Sequence, residues 1–215
     1  MLSQSKLSHL RENLYKMSQI MTDQEKEKYA TLRRSYIGDF EGRIPHVYID
    51  VVGKKTVGFG FNMDRQEAQD EWNAAFQQIS SPPSFRAVYA GKTSLTNSQI
   101  DQLFDYSLQL RETQLQKSYH KIWTHLRPNE RLATESAYYN GTSLVQGPFM
   151  RKVVTRYYHH LERYILERDV ESLRSAVDEL KNKSNRQGIR GLQLRRESEA
   201  ELLSSFKVAS FSFSS

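Results

Sequence analysis

Apolar positions in this chain recur mostly at helical spacing, and a strand-like arrangement is found only around residues 46 to 61. Leu2, Leu7, Leu10, Leu14, Met17, Ile20 and Met21 give the segment 1 to 22 one apolar side, and Thr22-Asp23-Gln24-Glu25 is a start signal for the next helix. There Tyr29, Leu32, Tyr36, Ile37 and Phe40 share a face as far as Glu41, and Gly42 supplies a stop. His46 to Val52 and Thr56 to Phe61 read as two short strands folded about Gly53. With Gly53 as midpoint, Asp50 faces Thr56, their Cβ atoms roughly 4.5 to 5.5 Å apart.

The pattern then returns to helices. Met63-Asp64 opens one to about Ile79, SSPPS at 80 to 84 breaks it, and Thr96 caps a long one with Ile100, Leu103, Phe104, Leu108, Leu115, Tyr119 and Ile122 as buried positions. Pro128 begins a helix ending near Asn140-Gly141, and further helices follow at 148 to 167, 169 to 181 and 190 to 206. The expected class is α+β, mainly helical with one small sheet. The tail VASFSFSS, 208 to 215, reads as a disordered end.

Candidate chemistry concentrates where the periodicity changes. Glu41 falls at a helix C-terminus beside Ile37 and Phe40, and the partial negative charge and apolar surroundings there disfavour ionisation, as a general acid requires. Asp50 lies in a polar turn next to Lys54 and Lys55, which favour its charged form. A carboxylate and the Thr56 hydroxyl across a hairpin can hold one water between them. A protonated acid for the leaving oxygen and an ionised carboxylate for the opposite face are the parts needed for glycoside cleavage.

At these residues the chain resembles the phage-type lysozymes, the endolysin muramidases of glycoside hydrolase family 24. Their pattern, a helix ending in Glu-Gly, then Tyr-x-Asp, then Gly-x-x-Thr-x-Gly-x-Gly, is met by Glu41-Gly42, Tyr48-Ile49-Asp50 and Gly53 to Gly60 at eight positions in register. Residues 132 to 141, LATESAYYNG, look like the family's central helix, and 191 to 202, GLQLRRESEAEL, like its closing helix. The resemblance implies a phage-lysozyme-like fold, a small lobe with a short sheet joined by a long helix to a larger helical lobe. It places an N-terminal helical extension at 1 to 24 and the catalytic domain at 25 to 207. It also implies catalytic Glu41, Asp50 and Thr56, substrate contacts from Tyr48, Gly60, Asn62, Tyr139 and Asn140, and no cofactor or metal.

The implied activity is inverting hydrolysis of the β-1,4 bond between N-acetylmuramic acid and N-acetylglucosamine in peptidoglycan, with the two carboxyls roughly 6.5 to 9.5 Å apart. One departure stands out. Many relatives have a histidine after the last glycine that forms a stabilising ion pair, whereas Phe61 and then Asn62 follow here, so that pair is expected to be absent.

Composition narrows the remaining choices. No cysteine is present, so disulfides, thiolate metal sites and a thiol nucleophile are excluded. No window approaches the roughly 18 apolar residues of a membrane span, and the first residues lack the apolar core of a signal peptide. Synthesis in the host cytoplasm is therefore expected, with action at the wall after release or delivery, or carriage in a virion. A net charge of +6 favours acidic partners without choosing among them. Peptidoglycan is the expected partner, with no nucleic acid, no membrane insertion and a monomeric state. The run Arg156 to Tyr164 reads as helix core rather than a base-stacking surface, Ser136 and Ser143 lack a nucleophile-elbow context, and His159-His160 diverge on a helix rather than forming a metal site. A wall-binding module without activity and a delivered antibacterial toxin are the alternatives.

Overall fold

The computed structural model describes residues 3–50, 53–144, 148–185 and 190–204. Val51, Val52 and the tail at 208 to 215 lie outside the described residues. The elements, in order, are α1 (Gln4–Tyr15), α2 (Asp23–Glu41), β1 (Ile44–Ile49), β2 (Lys55–Gly58), β3 (Phe61–Asn62), α3 (Ala68–Ala75), α4 (Phe85–Tyr89), α5 (Asn97–Ser118), α6 (Pro128–Leu144), α7 (Pro148–Glu167), α8 (Val170–Asn185) and α9 (Arg190–Ser204). The fold is mostly helical with a small three-stranded antiparallel sheet in the order β1-β2-β3. The chain divides into a helical unit, Met1–Arg33 with Thr113–Ser215, and a sheet-containing unit, Arg34–Glu112.

Local chemistry explains where the principal helices start. The Thr22 N–H donates to Glu25 Oε2 at 2.9 Å while the Glu25 N–H donates to Thr22 Oγ1 at 3.2 Å, a reciprocal capping box at the start of α2. Thr96 and Gln99 make the same exchange at the start of α5, at 2.9 and 3.2 Å. The Glu130 carboxylate likewise accepts from the Arg127 N–H at 2.8 Å ahead of Pro128, the first residue of α6.

Other boundaries differ from the sequence reading. α1 stops at Tyr15, so the apolar side of 1 to 22 continues through a non-helical link in which Met17 and Met21 are still buried and Ile20 is exposed. α3 starts at Ala68, because Met63 and Asp64 are tied to the sheet: Met63 N–H donates to the Lys55 carbonyl and an Asp64 oxygen accepts from the Lys55 N–H. α6 runs on to Leu144.

The hairpin register is a second correction. Tyr48, not Asp50, pairs with Thr56, and Ile49 pairs with Lys55. Asp50 closes the turn instead: its N–H donates to the Lys54 carbonyl at 2.9 Å and its carbonyl accepts from the Gly53 N–H at 3.0 Å. Gly53 is thus part of one side of the turn rather than its midpoint. The segment read as a single second strand is two, since β3 folds back on β2 with Thr56 opposite Asn62 and Val57 opposite Phe61.

One side of this sheet is core. Val57 and Phe61 are buried, and the Phe61 ring lies 6.0 Å from that of Trp72, itself buried and edge-on to Phe76. The helical unit contains a sealed ionic cluster. Glu199 on α9 accepts from Ser136 Oγ at 2.6 Å and from Arg195 Nε at 3.3 Å and pairs with Arg196, while Arg195 also donates to the Ser136 carbonyl at 3.0 Å. All four residues are at most 2% exposed. Isolated ions cost several kcal/mol in such a place, so mutual pairing is what allows them there.

Candidate active site

Glu41 is the last residue of α2, and Gly42, at φ +72°, takes the left-handed position that ends the helix. The carboxyl is thereby delivered to the edge of the hairpin. A Cβ built on Gly60 would lie 3.5 Å from Glu41 Oε2, so the carboxyl rests close over the Gly60 backbone, which has φ +81°. Any side chain there would strain the backbone, with its Cβ in van der Waals contact with the carboxyl.

The sheet supplies the facing groups. Directly paired residues of an antiparallel sheet project to the same side, so Tyr48, Thr56 and Asn62 form one row across its three strands. Asp50 reaches this row from the turn. Its Oδ1 accepts from the Lys54 N–H at 2.8 Å, and its Oδ2 accepts from Thr56 Oγ1 at 3.4 Å. Thr56 also donates toward the Lys54 carbonyl at 3.2 Å, and is almost fully buried, whereas Glu41, Tyr48, Asp50 and Asn62 are half-buried.

Tyr48 links the two carboxyl groups electrostatically. Burial, then the charge of Asp50, then that of Glu41 holds its phenol above the ordinary tyrosine range. Both carboxylates therefore act on one ring. The structure brings Glu41, Tyr48, Asp50, Thr56, Gly60 and Asn62 together within the sheet-containing unit. Tyr139, by contrast, lies in the helical unit with 3% of its surface exposed, which leaves almost nothing for a sugar to touch. Asn140 belongs to α6, and its side chain lies outside the described residues.

Both lysines beside Asp50 make defined contacts. Lys54 contacts the carboxylate through its backbone N–H, and the Lys55 ammonium sits 4.0 Å from the Tyr89 ring centre and donates to the Tyr89 carbonyl at 3.1 Å. A brace that the sequence reading missed holds the hairpin base: Asp64 accepts from the Lys55 N–H and from the Tyr89 hydroxyl, each at 2.9 Å. The Lys55 N–H bond is the main reason the Asp64 carboxyl titrates below its usual range. The only advance signal was Asp64 three residues after Phe61, which looks like a helix opening.

The sheet unit carries a buried ion pair of its own. Glu71, 5% exposed, pairs with Arg65 at 2.6 Å, faces Arg111 at 3.6 Å and accepts from Ser107 Oγ at 2.8 Å. Ser136 is consumed by the Glu199 cluster, and Ser143 lies outside the described side chains. In the aromatic-basic run, Tyr157 is buried within hydrogen-bonding distance of Thr134, at 2.9 Å, and Tyr158 packs edge-on to Tyr119. Trp72 and Trp123 are both buried, as packing residues are. No described helix is long and apolar enough to cross a membrane.

No protein-family model matches this chain, and no curated protein matches it. Among solved structures it is similar to that of the active form of the P1 phage endolysin Lyz, with 19% identity and a TM-score of 0.50 over 84% of this chain and 86% of that one. The chain therefore has the mainly helical, small-sheet fold of a phage endolysin.

Proposed function

We propose that this protein is a peptidoglycan hydrolase, an N-acetylmuramidase of the glycoside hydrolase family 24 type. In this reading Glu41 is the general acid and Asp50, with Thr56, the water-activating base. The observation that carries it is the placing, at one small sheet, of a helix-terminal carboxyl over Gly60 and a turn carboxylate hydrogen-bonded to Thr56. The fold shared with a phage endolysin supports the substrate class.

The reaction follows from the placement. Glu41 gives its proton to the bridging oxygen as the bond from that oxygen to the anomeric carbon breaks. A water held between Asp50 and Thr56 attacks the anomeric carbon from the opposite face and passes a proton to Asp50, and the configuration inverts. Tyr48 and Asn62 flank Thr56 on the same sheet side, where they can contact the sugar ring, and Gly60 admits close approach of a backbone. The enzyme acts at the wall after release or delivery from the cytoplasm in which it is made.

The test uses purified sacculi, with release of reducing ends as the readout and circular dichroism to verify folding. Wild type releases fragments, and Glu41→Gln and Asp50→Asn each abolish release while remaining folded. Wild-type rates in both variants would remove the catalytic assignment. Sacculus binding without release by the wild-type chain would instead make it a silent wall-binding module.

A further inference from the structure

The helical unit contains a second concentration of charge that the glycosidase reading leaves unused. A pocket of about 240 Å³ is lined by Gln19, His125, Arg127, Glu130, Tyr164 and Arg168, among others. Five of these six side chains carry an ionisable group, and with histidine and tyrosine neutral the balance is two guanidinium groups against one carboxylate. We propose that this pocket binds an oxyanion, a carboxylate or phosphate group, between Arg127 and Arg168.

Three independent features support the site. Glu130 is already engaged as the capping partner of the Arg127 N–H, at 2.8 Å, and it is only 2% exposed. Its single charge is shared between two guanidinium groups, Arg127 and Arg168, both of which act on it. Burial also pushes its carboxyl above the ordinary range, against the Arg127 hydrogen bond and the charges of Arg127 and Arg168, which makes the pocket more positive still when it protonates.

Arg168 supplies the second feature. It is the one described non-glycine residue with positive φ, at 59°, immediately after α7, a position that glycine or asparagine fills at lower cost. An arginine there accepts a strained backbone and lines the pocket, and among the described residues it makes no hydrogen bond or ion pair. Strained backbone of this kind collects at ligand sites.

The third feature is the wall. Gln19 comes from the link between α1 and α2, within the helical unit, and its Nε2 donates to the Thr124 carbonyl at 3.0 Å. The segment is thus fastened beside the pocket and contributes an amide to it. The volume suits a small anionic group rather than a sugar chain. Guanidinium forks pair bidentately with carboxylate and phosphate alike, so wall peptides and wall phosphodiesters are both possible sources of the ligand.

The full chain is titrated by calorimetry, at fixed ionic strength, with inorganic phosphate and separately with N-acetyl-D-alanyl-D-alanine. Saturable one-site binding of at least one probe is expected, with a parallel rise in Tm. Binding of phosphate alone points to a phosphodiester source, and binding of the dipeptide alone to a peptide carboxylate. Arg168→Gln weakens binding about tenfold, the loss of one charge-assisted contact. Arg168→Gly weakens it equally yet raises the Tm of the free protein, because glycine relieves the left-handed backbone. Glu41→Gln binds like wild type, which keeps this site separate from the glycosidase reading. Absence of saturable binding for both probes, or unchanged affinity in both Arg168 variants, overturns the proposal.

Discussion

The polar centre of the sheet unit and that of the helical unit contain similar groups in contrasting states. In the helical unit, Arg195, Arg196, Glu199 and Ser136 are sealed from solvent and bonded to one another. In the sheet unit, Glu41 and Asp50 stay half-exposed at the rim of a small sheet, with Thr56 beneath. Sealed and mutually satisfied ions fix a helix in its place. The half-exposed carboxyls at the sheet rim stay within reach of water, as the proposed chemistry requires. Burial and pairing, rather than residue type, separate the structural cluster from the chemical one.

That contrast breaks most visibly through activity. Glu41→Gln is expected to lower sacculus hydrolysis by about 10² to 10⁴-fold, the usual worth of a positioned acid, with little change in Tm. A large loss of stability in that variant would mean that Glu41 belongs with the structural ions. Glu199→Gln should do the reverse. Removing the one carboxylate that serves two buried arginines costs about 3–5 kcal/mol in denaturant unfolding, with activity per folded molecule unchanged.

Smaller changes sharpen the division. Thr56→Val removes the hydroxyl that donates to Asp50, and a hydrogen bond to a charged group is worth about 1.5–3 kcal/mol, so turnover should fall roughly 10- to 100-fold. Thr56→Ser should restore most of it, which a purely steric role for the methyl group would not allow. Thr22→Ala, which breaks the capping box at the far end of the helix bearing Glu41, should cost about 1 kcal/mol of stability and leave hydrolysis unaltered.

The parts of the molecule legible in the sequence were those governed by local chemistry. Thr22 with Glu25, Thr96 with Gln99, Pro128, and Gly42 after Glu41 each marked a real helix boundary, because capping bonds and a left-handed stop involve residues only a few positions apart. The Asp50–Thr56 contact was also expected, although from a pairing that the strands do not make. The hairpin register was not legible: nothing local distinguishes Gly53 as a midpoint from Gly53 beside the turn centre, and moving the midpoint by one position moves the partner of Thr56 by two, from Asp50 to Tyr48, on the same face. The Asp64 brace and the partners of Glu71 and Glu199 were illegible for a related reason. The Asp64 contacts and the bonds from Ser107 to Glu71 and from Ser136 to Glu199 join residues 9 to 63 positions apart that only the folded chain brings together. The resemblance of residues 191 to 202 to a closing helix pointed to Arg195, Arg196 and Glu199 as a pattern, and Ser136 as their partner emerged only with the packing of α6 on α9.

In the proposed reaction Glu41 and Asp50 cut the bond after N-acetylmuramic acid. Mass analysis of fragments released from purified peptidoglycan, with Glu41→Gln run in parallel, addresses this directly. The expected result is fragments ending in reducing N-acetylmuramic acid from the wild-type protein and none from the variant. Fragments ending in reducing N-acetylglucosamine, anhydro ends, or equal release by the variant would contradict it.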